Sequence, residues 1–312
     1  TGVVYVPSGT NATIQIQTHH GLGVGPNVKV QWAPDDIETF TTDGAILTHT
    51  YLTPGYHEFE VYGFGNDTSS IQIGTEATIM ISNFGSEVSR IFFGRDGSTI
   101  ESCPNLIEVP KRLPKQIRSV RFEKCTNFNS ANVIEWDTSN LDSMQYMFAE
   151  ASNFNQPIGH WLTTNVTSML GMFKSAKNYS QPINFDIPQV TDVSEMFFDA
   201  VKFNSTITLS NTLNVTYMSN MFYNATLFNQ PVTFDTSNVI RMGGMFRNAS
   251  TFNRPLTFDT SNVTNMQYMF ANTLAFNQPI QFNASKLISI EGMFSHARNF
   301  NSNVILTDMN KI

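Results

Sequence analysis

Charge is what this sequence most lacks. Asp, Glu, Lys and Arg make up 14% of its 312 residues, against roughly 25% in an ordinary soluble domain. Asn, Ser and Thr carry the polarity instead, a balance seldom seen in cytosolic enzymes and often seen in secreted, viral and surface-layer proteins. Basic residues number 18 against 25 acidic ones, a formal charge of −7. Nucleic acid is therefore not an expected partner, because phosphate binding needs a basic patch. The cations that do gather, Lys111, Arg112, Lys115, Arg118 and Arg121, read as a solvated edge. The two cysteines, Cys103 and Cys125, are too few for a disulfide framework or a zinc site. No run approaches the roughly 18 apolar residues of a membrane-spanning helix. The chain opens on Thr1 with no Met and no leader in view, as expected of a processed or truncated form. Metal-ligand spacings, a nucleophile elbow, a phosphate loop and a dinucleotide fingerprint are missing too, so neither catalysis nor a cofactor is expected.

What the sequence has is repetition. Met-Phe recurs at Met147, Met172, Met196, Met221, Met245, Met269 and Met293, at intervals of 24 or 25 residues. Such a period belongs to stacked solenoids of the leucine-rich-repeat class. Each unit has two halves. In the first, Val263, Met266, Phe270 and Thr273 are three, four and three residues apart, which predicts a short helix or a 3₁₀-like turn. In the second, Ile280 and Phe282 flank polar Gln281, the period of a strand, and stacking predicts a parallel sheet. One unit cannot bury its Val, Met, Phe and Ile alone; neighbours bury them as ladders.

The repeats are expected to fill 139–312, with 85–138 as irregular cap turns and 1–84 as a separate all-β domain. In this last part, alternating stretches at 3–6, 13–17, 28–32, 46–51, 57–62 and 78–81 predict a β-sandwich of six or seven strands. Cys103 and Cys125 occupy the slot held by small residues such as Ala151 and Ala176. Stacked turns bring equivalent positions within disulfide range, leaving a bond and two buried thiols as equal alternatives. The recurring Asn155, Asn204, Asn229, Asn253, Asn277 and Asn301, broken at Ser180, predict a structural carboxamide ladder. Asp235 and Asp259 sit on successive turns; they are candidate Ca²⁺ ligands, with capping of the next segment the favoured reading.

Two family resemblances follow from these residues. Asn-Val-Thr-Asn-Met-Gln-Tyr-Met-Phe at 262–270 and Phe-Asn-Gln-Pro-Ile at 276–280 resemble the BspA-type leucine-rich-repeat surface proteins, over about 125–308. Val30-Gln31-Trp32-Ala33-Pro34-Asp35-Asp36, with Thr48 to Tyr51 and Pro54 to Val61, resembles a polycystic-kidney-disease-type immunoglobulin-like domain. The usual Asp-Gly turn after the Trp strand is replaced by Ala-Pro-Asp-Asp. The resemblances imply an exported or surface-anchored microbial protein, with adhesion among the roles of the first family, and no catalytic residue to carry over.

The expected function is therefore non-catalytic binding to a protein or glycan surface from an extracellular or cell-surface location. The outward strand residues Asn184, Thr208, Thr233, Thr257 and Gln281 are the candidate face. The alternative is a structural subunit of a virion, filament or surface layer, with copies of itself or other subunits as partners. It draws on the absence of a polar cap after Asn303 to Asp308. An immune-receptor-like ectodomain ranks last, for want of Cys-rich caps. Ten Asn-x-Ser/Thr sequons, at Asn11, Asn66, Asn165, Asn178, Asn204, Asn214, Asn224, Asn248, Asn262 and Asn283, are candidate glycosylation sites.

Overall fold

The computed structural model describes residues 1–19, 29–39, 45–62, 70–84, 88–93 and 102–309, without the side chains of 19 and 62. It is mostly β, with a β-solenoid of about nine turns and few helices. The chain divides into two compact units: Thr1–Leu141 with Glu150–Gln156, and Asp142–Ala149 with Pro157–Ile312.

The first unit begins with eight strands: β1 (Gly2–Val6), β2 (Ala12–His19), β3 (Lys29–Ala33), β4 (Asp36–Thr39), β5 (Ile46–Tyr51), β6 (Gly55–Tyr62), β7 (Ser70–Gly74) and β8 (Thr78–Ile81). Alternation flagged six of these stretches and missed β4 and β7. Ser70–Gly74 is buried along its whole length, and burial on both faces erases the period of two. Then come β9 (Arg90–Phe92), β10 (Leu106–Glu108) and β11 (Ser119–Arg121). Two sheets result, in the orders β10-β8-β1-β6-β3-β4 and β11-β9-β7-β2-β5. The strands from β1 to β8 pair antiparallel, whereas β10 on β8, β9 on β7 and β11 on β9 pair parallel. Hairpin chemistry thus gives way to coil-on-coil stacking inside two continuous sheets. Val4, Val6, Ile14, Ile16, Trp32 and Ile79 are buried there at 1% exposure or less.

The second unit stacks the regular turns, and its core is two aromatic ladders. Phe148, Phe173, Phe197, Phe222, Phe246, Phe270 and Phe294 stack from turn to turn with centroids 5.4–5.7 Å apart. Tyr179, Phe203, Phe228, Phe252, Phe276 and Phe300 form the second ladder at 5.7–6.1 Å. Within each turn the two rings lie 4.0–4.2 Å apart. A fully buried Phe contributes about 2–3 kcal/mol by area alone, so the ladders dominate the packing.

The segment around each Met-Phe is a string of turns rather than a helix. Some N–H groups reach back three residues, as from Met147 to the Met144 carbonyl and from Ala149 to Tyr146. Others cross to the next turn: Met144 to Ser168, Tyr146 to Leu170 and Phe148 to Met172, at 2.8–3.1 Å. An N–H committed to a neighbouring turn is lost to an i→i−4 helix. Two left-handed residues per turn aim these donors. Tyr146, Gly171, Glu195, Asn220, Gly244, Tyr268 and Gly292 have φ of 53–64°. Ser175, Asp199, Asn224, Asn248, Asn272 and His296 have φ of 55–61°. A left-handed non-glycine residue costs about 1–2 kcal/mol; here each crossing hydrogen bond offsets part of that. Glycine takes the slot where the ring or carboxamide of the preceding turn covers it: a Cβ on Gly171 would run into Tyr146, on Gly244 into Asn220, and on Gly292 into Tyr268.

The single wide parallel sheet expected from the Ile280–Phe282 half does not form. That edge carries two separate pairs. In one, β12 (Ile183–Asp186) pairs with β13 (Ile207–Ser210); in the other, β14 (Ile280–Asn283) pairs with β15 (Val304–Thr307). Proline explains where pairing stops. The Ile183 N–H donates to the Thr206 carbonyl, and Ile280 to Asn303, so the N–H groups of Thr206 and Asn303 face the same neighbour. At the other junctions the later turn has Pro182, Pro231, Pro255 or Pro279 in that slot, which puts ring carbons where the N–H would point.

Candidate binding faces

The continuous backbone spine of the second unit lies elsewhere. Ser143, Ser168, Asp192, Tyr217, Arg241, Asn265 and Ser289 form an unbroken row of parallel bridges across seven turns. Beside them the N–H groups of Thr167, Thr191, Thr216, Ile240, Thr264 and Ile288 each donate to the previous turn at 2.9–3.1 Å. The Thr167, Thr216 and Thr264 hydroxyls reinforce those bonds. The backbone here is satisfied internally, so what this face offers a partner is its side chains: Tyr217 and Arg241 are exposed, the others half-buried, and Ser143, Ser168, Asp192 and Asn265 also accept the N–H two residues on. These side chains differ from turn to turn, from two serines through Asp192, Tyr217 and Arg241 to Asn265 and Ser289. This face lies apart from the strand residues that alternation predicts, and its mark in the sequence is one repeat position filled by unlike residues.

Of the five predicted strand residues, Asn184 and Thr208 lie side by side in register on β12 and β13. Gln281 pairs in register with Ile305. Thr233 and Thr257 are exposed between buried neighbours but belong to no strand. The five therefore share exposure without forming one sheet face.

Asp235 and Asp259 do what capping residues do: each carboxylate accepts the N–H two residues on, from Ser237 and Ser261, at 2.9 Å. Those bonds to Ser237 hold the Asp235 carboxyl below its usual range. Among the described residues no group of three or more His, Cys, Asp or Glu could hold a metal ion. Cys103 and Cys125 are free thiols, fully buried, and burial pushes both well above the normal thiol range.

The carboxamide ladder is present. Backbone N–H groups of Asn155, Asn229, Asn253, Asn277 and Asn301 donate to the Oδ1 of the asparagine one turn earlier, at 2.7–3.0 Å. Its first rung is Asn129, which spacing did not pick out, and Ser180 interrupts it. Many sequon amides are likewise engaged: Asn214 on the Pro188 carbonyl, Asn224 on Asp199, Asn262 on the Ser237 carbonyl, and Asn283 on Asp308. Asn204 and Asn248 accept in ladders, and Asn178 is half-buried. Asn11 and Asn165 are exposed; Asn66 lies outside the described residues. In the basic stretch, Lys111 pairs with Glu135 at 3.0 Å in solvent. Arg121 departs from the solvated reading: its side chain is 15% exposed, beside Glu123 and over Phe92.

A second surface column runs beside the spine. Lys174 sits over Phe198, Phe198 stacks on Tyr223 at 4.5 Å, and Arg247 lies over both Tyr223 and Tyr268. Lys174 also meets Glu195 at 2.7 Å.

Against known families, residues 116–209 and 197–309 match the model described as "Mycoplasma protein of unknown function, DUF285". The chain belongs to this family. The two matches together span the repeats in which the ladders and the spine recur. Comparison with curated proteins and with solved structures finds no match. No helix among the described residues is long and apolar enough to cross a membrane.

Proposed function

We propose that this DUF285-family chain is a non-catalytic repeat protein displayed outside the cell, binding a protein or glycan surface through exposed side chains of its solenoid. The observation that carries the reading is a division of labour within each turn. The Met, Phe and Asn positions are repeated and spent on packing and cross-turn hydrogen bonds, while the spine position changes from Ser168 to Asp192, Tyr217, Arg241 and Asn265. A fixed scaffold carrying varied polar residues on one extended face is how repeat proteins commonly recognise partners. The scarcity of charge and the abundance of Thr and Asn suit a glycan or a polar protein surface. The resemblance to BspA-type surface proteins supports the same location. Likewise, the resemblance of the N-terminal strands to a polycystic-kidney-disease-type immunoglobulin-like domain supports an extracellular modular protein.

Two measurements test this. Protease added to intact source cells or particles should cleave the protein without lysis, and the purified chain should bind intact cell surfaces saturably. Full protection from protease, together with no surface binding, would overturn the reading.

A further inference from the structure

We infer that the spine carries a subsite for an acidic sugar, a carboxylate-bearing glycan unit, centred on Arg241. This deepens the surface-binding reading and rests on it. Ser219, Arg241, Thr264, Asn265, Ile288 and Ser289 line a groove of about 450 Å³. Three neighbouring turns contribute side chains around Arg241, and no carboxylate is among them. Arg241 is the one cation in the bridge row, in a chain of net charge −7. Its guanidinium lies 5.9 Å from the Tyr217 ring centroid, and the ion pairs seen among the described residues lie elsewhere. Glu291, two turns on, is held by the Tyr268 hydroxyl at 2.7 Å, and Asp192, two turns back in the same row, accepts the Ser194 N–H at 2.8 Å. A guanidinium fits a carboxylate with two parallel hydrogen bonds, so the groove offers one anion position.

The remaining lining decides the class of ligand. Ser219 and Ser289 provide hydroxyls, the latter also accepting from Gln267 Nε2, whereas the Thr264 hydroxyl is given to the Ile240 carbonyl and the Asn265 carboxamide to Gln267. Ile288, 76% exposed, supplies a small apolar patch for the C–H face of a ring. An extended peptide would dock by adding backbone hydrogen bonds to an open strand. That route is closed here. The N–H groups of Met242, Thr264, Met266 and Ile288 already donate to Asn265, Ile240, Ser289 and Thr264. Recognition is left to the Arg241 guanidinium, the Ser219 and Ser289 hydroxyls and the exposed Ile288 face, which matches a polyol ring carrying a carboxylate.

The test is binding of the intact chain to oligogalacturonate, with neutral dextran oligomers and poly-glutamate as comparators. Saturable binding of oligogalacturonate alone is expected. Arg241→Ala should weaken it by about tenfold or more, the worth of a charge-assisted hydrogen bond. Ile288→Asp, which places a negative charge in the groove without touching the core, should abolish it, and Lys177→Ala should leave it unchanged. Equal binding of dextran or poly-glutamate, or wild-type affinity in both groove variants, would overturn the inference. Binding to intact surfaces that ignores oligogalacturonate and Arg241 sinks this inference alone; no binding to any surface sinks the wider reading with it.

Discussion

The two edges of the regular turns are made from the same repeat, yet only one is held together throughout. Along the spine every turn from Ser143 to Ser289 bonds to the next. Along the strand edge, pairing appears at β12–β13 and β14–β15 and fails between them. The side-chain pattern on the failing edge is sound: Val232 and Phe234, and Leu256 and Phe258, are buried around exposed Thr233 and Thr257. What differs is one backbone donor. A solenoid edge needs both a buried alternate side chain and an N–H facing its neighbour, and proline at one slot removes the second while leaving the first.

This comparison can be broken at several points. The largest loss is expected where both edges share support. Phe246 stacks on Phe222, Phe252 and Phe270, and Phe246→Ala should cost about 3–5 kcal/mol, read as a lowered denaturant midpoint. Next comes proline placed on each edge. Ile240→Pro deletes the donor to the Thr216 carbonyl within the continuous spine and should cost about 2–3 kcal/mol. Thr206→Pro, imitating the slots that already hold proline, should cost only about 1 kcal/mol while erasing the β12–β13 pairing. Equal losses from the two variants would remove the distinction between the edges. In the other direction, Pro255→Thr restores an N–H and should extend strand pairing between 232–235 and 256–259 with a gain below about 1 kcal/mol; nuclear magnetic resonance would show new cross-turn contacts.

The smallest effect concerns Asp235. Its folded carboxyl is held below the 3.8 of the free group. Its contribution is therefore fully present above that value and is lost as pH falls through the lower folded one. Asp235 is almost fully solvated, so Asp235→Asn should cost a few tenths of a kcal/mol at neutral pH, and the acid limb of the stability curve should flatten slightly. A variant curve parallel to wild type below pH 4 would assign the cap no charge-dependent role.

The solenoid was legible because Met-Phe and Asn recur with hardly a change, and packing ladders tolerate little else. The location of the continuous sheet was not. The period of two marks which side chains are buried and says nothing about whether the facing backbone carries a hydrogen. The left-handed positions were hidden as well: Tyr146, Glu195 and Ser175 give no hint of positive φ, and only the glycines at 171, 244 and 292 mark one such slot. At the candidate faces, Asn184 and Thr208 were placed side by side as strand alternation implies. Arg241 was overlooked because a search for what repeats discards the position that does not. The strands β4 and β7 escaped for the reason opposite to the repeats: β4 has four residues, none buried, with its one apolar side chain, Ile37, on the exposed side, and β7 is buried along its whole length, so neither shows apolar residues alternating with polar ones.

The most direct test of the account is amide hydrogen exchange resolved along the second unit. The amides of Thr216, Ile240 and Thr264 should be strongly protected, and those of Thr233 and Thr257 should exchange much faster than those of Phe185 and Phe282 in the paired strands. Uniform protection across Thr233, Thr257 and the paired strands would contradict it, because the proline-bearing edge would then be bonded like the spine.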